Sequence, residues 1–206
     1  MKRTRSLRRR TAVAAVAAAP VLFLAGCGDG GNGSAATTAS PTASASVPAG
    51  EHNQADVDFA QEMIPHHRQA VMMSDMAETR ASSDEVKTLA AKIKQAQEPE
   101  IATMSAWLTA WGEEVPQGMD GMDHGDATSM PGMMDDHQMD DMRGASGTAF
   151  DTMFLTMMIK HHEGAIEMAE TEKEEGAYGP AKELADDIIT AQKAEIAQMK
   201  QMLGTN

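Results

Sequence analysis

The sequence predicts an all-α protein, a ferritin-like four-helix bundle built from two repeated helical hairpins. Two observations predict it. Apolar residues recur three or four positions apart through four long stretches, the period of a helix with one buried face. The two halves also match without a gap at an offset of 95 residues, from Asp56 and Asp151 to Leu108 and Leu203. Phe59 pairs with Phe154, Met63-Ile64 with Met158-Ile159, His66-His67 with His161-His162, and Met73 with Met168. Downstream, Ile93 pairs with Ile188, Gln97 with Gln192, Glu100-Ile101 with Glu195-Ile196, and Met104 with Met199. A register this long marks a duplicated unit. One helical hairpin cannot bury its own stripe, but two packed together can.

Residues 1–26 read as an export signal. Six basic residues precede an apolar run of small side chains that is too short for a comfortable membrane span. The run ends in Leu24-Ala25-Gly26-Cys27, which resembles a lipobox, so Cys27 is the expected lipidation site and the anchor to the outer face of the cell membrane. It is the only Cys in the chain, so no internal disulfide is possible. Residues 27–52, rich in Gly, Ser, Ala and Pro, read as a flexible tether.

The bundle is expected over 53–206. Repeat one, 55–111, holds a helix from about 53 to 80, a turn at Ser82-Ser83-Asp84 and a helix from about 84 to 111. Asp56 is a candidate cap or first-turn acid. Pro65 and Pro99 are expected to bend their helices, although the second copy has Lys160 and Ala194 there. The linker, 112–147, shows no apolar period and is expected to be a mobile connection. Repeat two, 148–205, holds a helix to about Glu175, a turn at Gly176-Ala177-Tyr178-Gly179-Pro180 and a last helix to Leu203.

Composition narrows the function. Without the six basic residues of the leader the formal charge falls from −14 to −20, a surface that repels nucleic acid and attracts cations. Aromatic residues are only 3% and Met numbers 19, so many thioethers must serve as core filling. No nucleotide loop, organic cofactor motif or nucleophile with a paired base is present.

The paired histidines carry the chemistry. Neighbours on a helix point about 100° apart, so His66 faces the core with Met63, Ala70 and Met73, and His67 a seam between helices. His161 and His162 stand likewise with Met158 and Met168. Imidazole and thioether suit soft, low-coordinate Cu(I), which Ag(I) resembles. Gln97, Glu100, Gln192 and Glu195 fall on or beside the inward stripes and are candidates to orient the imidazoles, with a surface position equally open for the two Glu. In the linker, Met119, Met122, His124, Met130, Met133, Met134 and His137 have no stripe to bury them and form a candidate capture segment for copper or silver.

The run Phe59-x3-Met63-Ile64-Pro65-His66-His67-x2-Ala70, with Gln97-x2-Glu100-Ile101-x2-Met104-x2-Trp107-Leu108, resembles the bacterial family catalogued as a domain of unknown function, the CopM-like family. The resemblance spans Asp56 to Leu203. It implies a ferritin-like bundle exported from the cytoplasm and, from members linked to copper tolerance, adds Met104 and Met199 to the candidate ligands His66, His67, Met63, Met73 and their second-copy mates. Three readings follow: a lipid-anchored protein that captures Cu(I) or Ag(I) and exchanges it with a partner, a ferritin-like di-metal oxidase, or a structural bundle without metal. The oxidase is disfavoured because neither copy carries the Glu-x-x-His spacing such sites use.

Overall fold

The computed structural model describes residues 50–118 and 130–205. Cys27, most of the tether, and Met119, Met122 and His124 lie outside the described residues. Five helices form: α1 (Gln54–Arg80), α2 (Asp84–Trp111), α3 (Asp136–Gly144), α4 (Gly147–Glu175) and α5 (Gly179–Leu203). The four long ones are the helices of the two repeats.

Local chemistry sets their ends. Asn53 and Asp56 form a capping box at the start of α1, each side chain taking the other's backbone N–H. Ser83 caps α2 through Val86 N–H. Gly112 (φ 78°) ends α2 in the left-handed conformation that an L side chain resists. Both α1 and α2 continue as helix through Pro65 and Pro99.

Helix α1 packs along α2, α4 along α5, and α1 against α4. The α1–α4 pair is antiparallel. At one end Asn53 donates to Glu175 O and Asp56 accepts from Ala177 N and Tyr178 N; at the other, Asp151 accepts from Ser82 N, Ser82 Oγ and Ser83 N. Asp56 and Asp151 are repeat mates, as are Ser82-Ser83 and Ala177-Tyr178. Each hairpin thus uses a carboxylate near the start of its first helix to hold the other hairpin's turn, under a pseudo-twofold axis. The core between them is filled by Phe59, Leu89, Ile93, Leu108, Phe150, Phe154 and Ile188, with fully buried Met residues.

The connection is, in its described parts, more ordered than expected. Its first part runs back along α1, where Gln61 donates to Glu114 O and Arg68 to Pro116 O. Its second part forms a strap at 130–135 and then α3, opened by a capping box between Asp135 and Gln138. Met130, Met133, Met134, Met139 and Met142 are all buried. The missing apolar period misled because strap thioethers sink one by one into a groove instead of sharing a helical stripe.

The two reciprocal carboxylates differ in one donor. Asp151 receives the Ser82 hydroxyl at 2.5 Å, whereas Ala177, its mate, has none to offer Asp56. Glu172 takes that place; its own mate is Ala77. Glu172 is buried and neither oxygen accepts a hydrogen bond. Burial, then the hydrogen bond and charge of Asp56, push its pKa up to about 8. At neutral pH it is mainly protonated and donates to Asp56. Burial works to raise Asp56, but the hydrogen bonds from Asn53, Tyr178, Glu172 and Ala177 overcome it and hold that carboxyl below its usual range.

Because the folded pKa of Glu172 lies above its unfolded value, its protonated form favours folding fully at low pH, and the benefit fades as pH rises through about 8. Thermal melts between pH 6.5 and 9 should show wild-type stability falling while Glu172→Gln, which keeps a donor and loses the acid, stays level. Glu172→Ala should cost about 1–3 kcal/mol at pH 6.5. Superimposable wild-type and Gln profiles would refute the shared proton.

Candidate metal centre

The two His-His pairs meet at the α1–α4 interface. His66 and His161 oppose each other with ring centroids 3.7 Å apart and planes at 42°. Fully buried Ala70 and Ala165, one turn further along each helix, keep that contact narrow. His67 turns to the α1–α2 seam, where its Nε2 lies 2.7 Å from Glu100 Oε2. His162 does the same with Glu195 Oε2, also at 2.7 Å. All four imidazoles are fully buried, while the two carboxylates are about one-fifth exposed. Both Glu residues therefore orient a ring.

The partners settle the tautomers. Carboxylates and carbonyls accept, so Nε2 of His67 and His162 carries the proton. His66 Nε2 donates to Pro131 O at 3.1 Å, so it too is the protonated nitrogen. In the neutral His66 ring this leaves Nδ1 bare, and Nδ1 of all four histidines is buried without a hydrogen-bond partner. His161 has a partner at neither nitrogen and lies beside the His66 backbone without hydrogen-bond geometry. An unpaired buried polar atom ordinarily costs about 1–3 kcal/mol, and a cluster of them needs a reason.

Protonation cannot supply it. Burial first, and then the neighbouring rings, lower the pKa of His66 to about 3 and that of His161 well below its usual value. At pH 7 both are neutral, with lone pairs free to bind a metal. Met63 and Met158 lie one turn before these rings, Met73 and Met168 two turns beyond, and Met104 and Met199 on α2 and α5. All six are buried. Gln97 and Gln192 are buried with their amide oxygens unpaired. Among the described residues no three His, Cys, Asp or Glu side chains gather as a metal-binding set. An ion held here would draw on thioether as well as imidazole, the donor mixture of soft monovalent cations.

The linker residues divide. Met130, Met133 and Met134 are buried in the strap, next to Pro131 on His66. His137 is 85% exposed on α3 and pairs with Asp141 at 3.1 Å, apart from the histidine cluster. Sequence reasoning passed over the groups that seat the strap. Gln69 donates from Nε2 to Met134 O and accepts Met134 N–H at Oε1, both at 2.8 Å. Gly164 lies so close to the strap that a Cβ there would overlap the Pro131 carbonyl, and Gly132 turns with φ 78° against the backbone of Lys160 and His161. Gln69 and Gly164 are repeat mates, and their mismatch was the available signal. Beside Pro131 a groove of about 280 Å³ is bordered by Asp58 and Glu62 of α1 and Glu167 and Glu175 of α4, an acidic border to which cations are drawn.

Solved structures share this architecture. A DUF305 protein of Streptomyces coelicolor, assigned as secreted, is 32% identical, with a TM-score of 0.65 over 73% of this chain and 92% of that one. CopM in its Cu(II)-bound form is 38% identical, with a TM-score of 0.62 over 71% and 94%. The Cu(I)-bound form of CopM is 36% identical at a TM-score of 0.59 over 71% and 94%, and a silver-bound form is 34% identical at 0.58 over 71% and 93%. No curated protein sequence matches. The model of the domain of unknown function DUF305 matches residues 56–203, and the chain belongs to that family.

Proposed function

We propose that this protein captures Cu(I), with Ag(I) as a close mimic, outside the cytoplasm, tethered by a lipid on Cys27, and that it serves copper buffering or tolerance. The observation that carries the reading is the set of four buried imidazoles whose Nδ1 atoms have no hydrogen-bond partner, with His66 and His161 held neutral by burial. His66, His67, His161 and His162 would supply imidazole through Nδ1, no three of them to one ion, with sulfur from Met63 and Met158 and from the other buried thioethers completing the coordination. Glu100 and Glu195 would keep His67 and His162 turned the right way, a role that raises ligand basicity and fixes the ring. Copper- and silver-bound forms of CopM support the choice of metal. Met119, Met122 and His124 would act earlier, collecting the ion on the linker.

The reading is of a binding protein and not an enzyme. Glu100 and Glu195 each bond a histidine of their own hairpin, where a di-metal oxidase would turn its carboxylates to a shared pair of ions.

Titration with Ag(I), or with Cu(I) under reducing conditions, should give tight binding in the wild type. His66→Ala with His161→Ala should weaken it by at least about tenfold, and Glu100→Ala with Glu195→Ala by about 10–100-fold. Binding untouched by the His pair of substitutions would sink the bundle site. The metal-free protein should also lose stability as pH falls from 6.5 towards 3, because the unfolded chain takes up protons that His66 and His161 refuse when folded. Melting temperatures between pH 7 and 4 check this, and a decline no steeper than that of His66→Gln would contradict it.

A further inference from the structure

Three of the four buried rings have an acceptor at Nε2, but the acceptors have two origins. Glu100 on His67 and Glu195 on His162 come with the duplicated unit. The Pro131 carbonyl on His66 does not, since His161 has no counterpart. We infer that Gln69 and Gly164 are positioning residues, which seat the Pro131 carbonyl on His66 and so commit that ring to the tautomer with a bare Nδ1. The inference rests on the proposed soft-metal site and specifies how one of its ligands is prepared.

The two residues occupy the same place in their repeats and do opposite work. Gln69 grips the strap with a paired amide clasp on the backbone of Met134. Gly164 leaves open the space into which Pro131 and Gly132 descend. A side chain at 164 would meet the Pro131 carbonyl, and a glycine at 69 would have nothing to grip with, so the strap fits one orientation of a nearly symmetric bundle. Only two residues separate Pro131 from Met134, so a clasp at Met134 fixes the Pro131 carbonyl. Buried Met130 and Met133 flank it on either side. One such hydrogen bond is enough to shift a tautomer ratio by about tenfold. Without it, His66 would place its proton on Nδ1 part of the time and close the lone pair that a metal needs.

The test uses the full chain labelled with ¹⁵N at its histidine rings, metal-free and at pH 7, with His66 assigned by the signal lost in His66→Gln. The wild type should show His66 protonated at Nε2 and bare at Nδ1. In Gln69→Ala the His66 pair should become a mixture while His67 and His162 stay as they were, and Ag(I) affinity should fall about tenfold. Gly164→Ala, which pushes the strap away from the other side, should give the same signature, and circular dichroism checks that both variants remain helical. A single unchanged His66 tautomer in both variants would overturn the inference, and so would equal changes at His67 and His162, which would signify general loosening. A wild-type chain that takes up no silver, with the tautomer change still present in the two variants, would defeat the soft-metal reading and leave the strap's hold on His66 standing.

Discussion

Everything at the centre of this protein depends on the exchange of carboxylates between its two hairpins. Asp56 holds the α4–α5 turn and Asp151 holds the α1–α2 turn, so α1 and α4 are pinned to each other at both ends. With the ends pinned, the sliding register of two long helices is removed. His66 then stands opposite His161 at their middle. Hydrophobic burial alone would not choose that register, since Ala and Met stripes tolerate displacement by a turn. The directional bonds of two buried acids do choose it.

Much of this was legible in the residues. The 95-residue offset, with the 3.6-residue stripe, gave the four long helices and their faces, because both signals repeat and each copy checks the other. The Ser83 cap and the turn around Gly176 were readable from local chemistry. The bonding of Glu100 to His67 was one of two readings left open, since a residue at a stripe's margin can turn inward or outward and only its neighbour across the seam decides.

What stayed hidden lies where the copies disagree. The strap carries no period because it is neither helix nor strand, and its methionines are buried by a groove that exists only once α1 and α4 are in place. Gln69 and Gly164 belong to no motif or stripe, and a lone amide or glycine in a helix carries no message until the strap that meets it is in place. The exchange of Ser82 and Ala77 for Ala177 and Glu172 conserves a hydrogen on a carboxylate while changing both residues that could supply it. Such compensation appears only when two positions five residues apart are seen to share one neighbour.

The pseudo-twofold axis has a further consequence. Had two copies of a single hairpin come together as a homodimer, every substitution would have appeared on both sides at once, and no segment could have covered one face alone. Fusion into one polypeptide released each copy from its twin. One half could gain a glutamine and the other a glycine, and the loop that joins them could become a part of the interior that neither half possesses by itself.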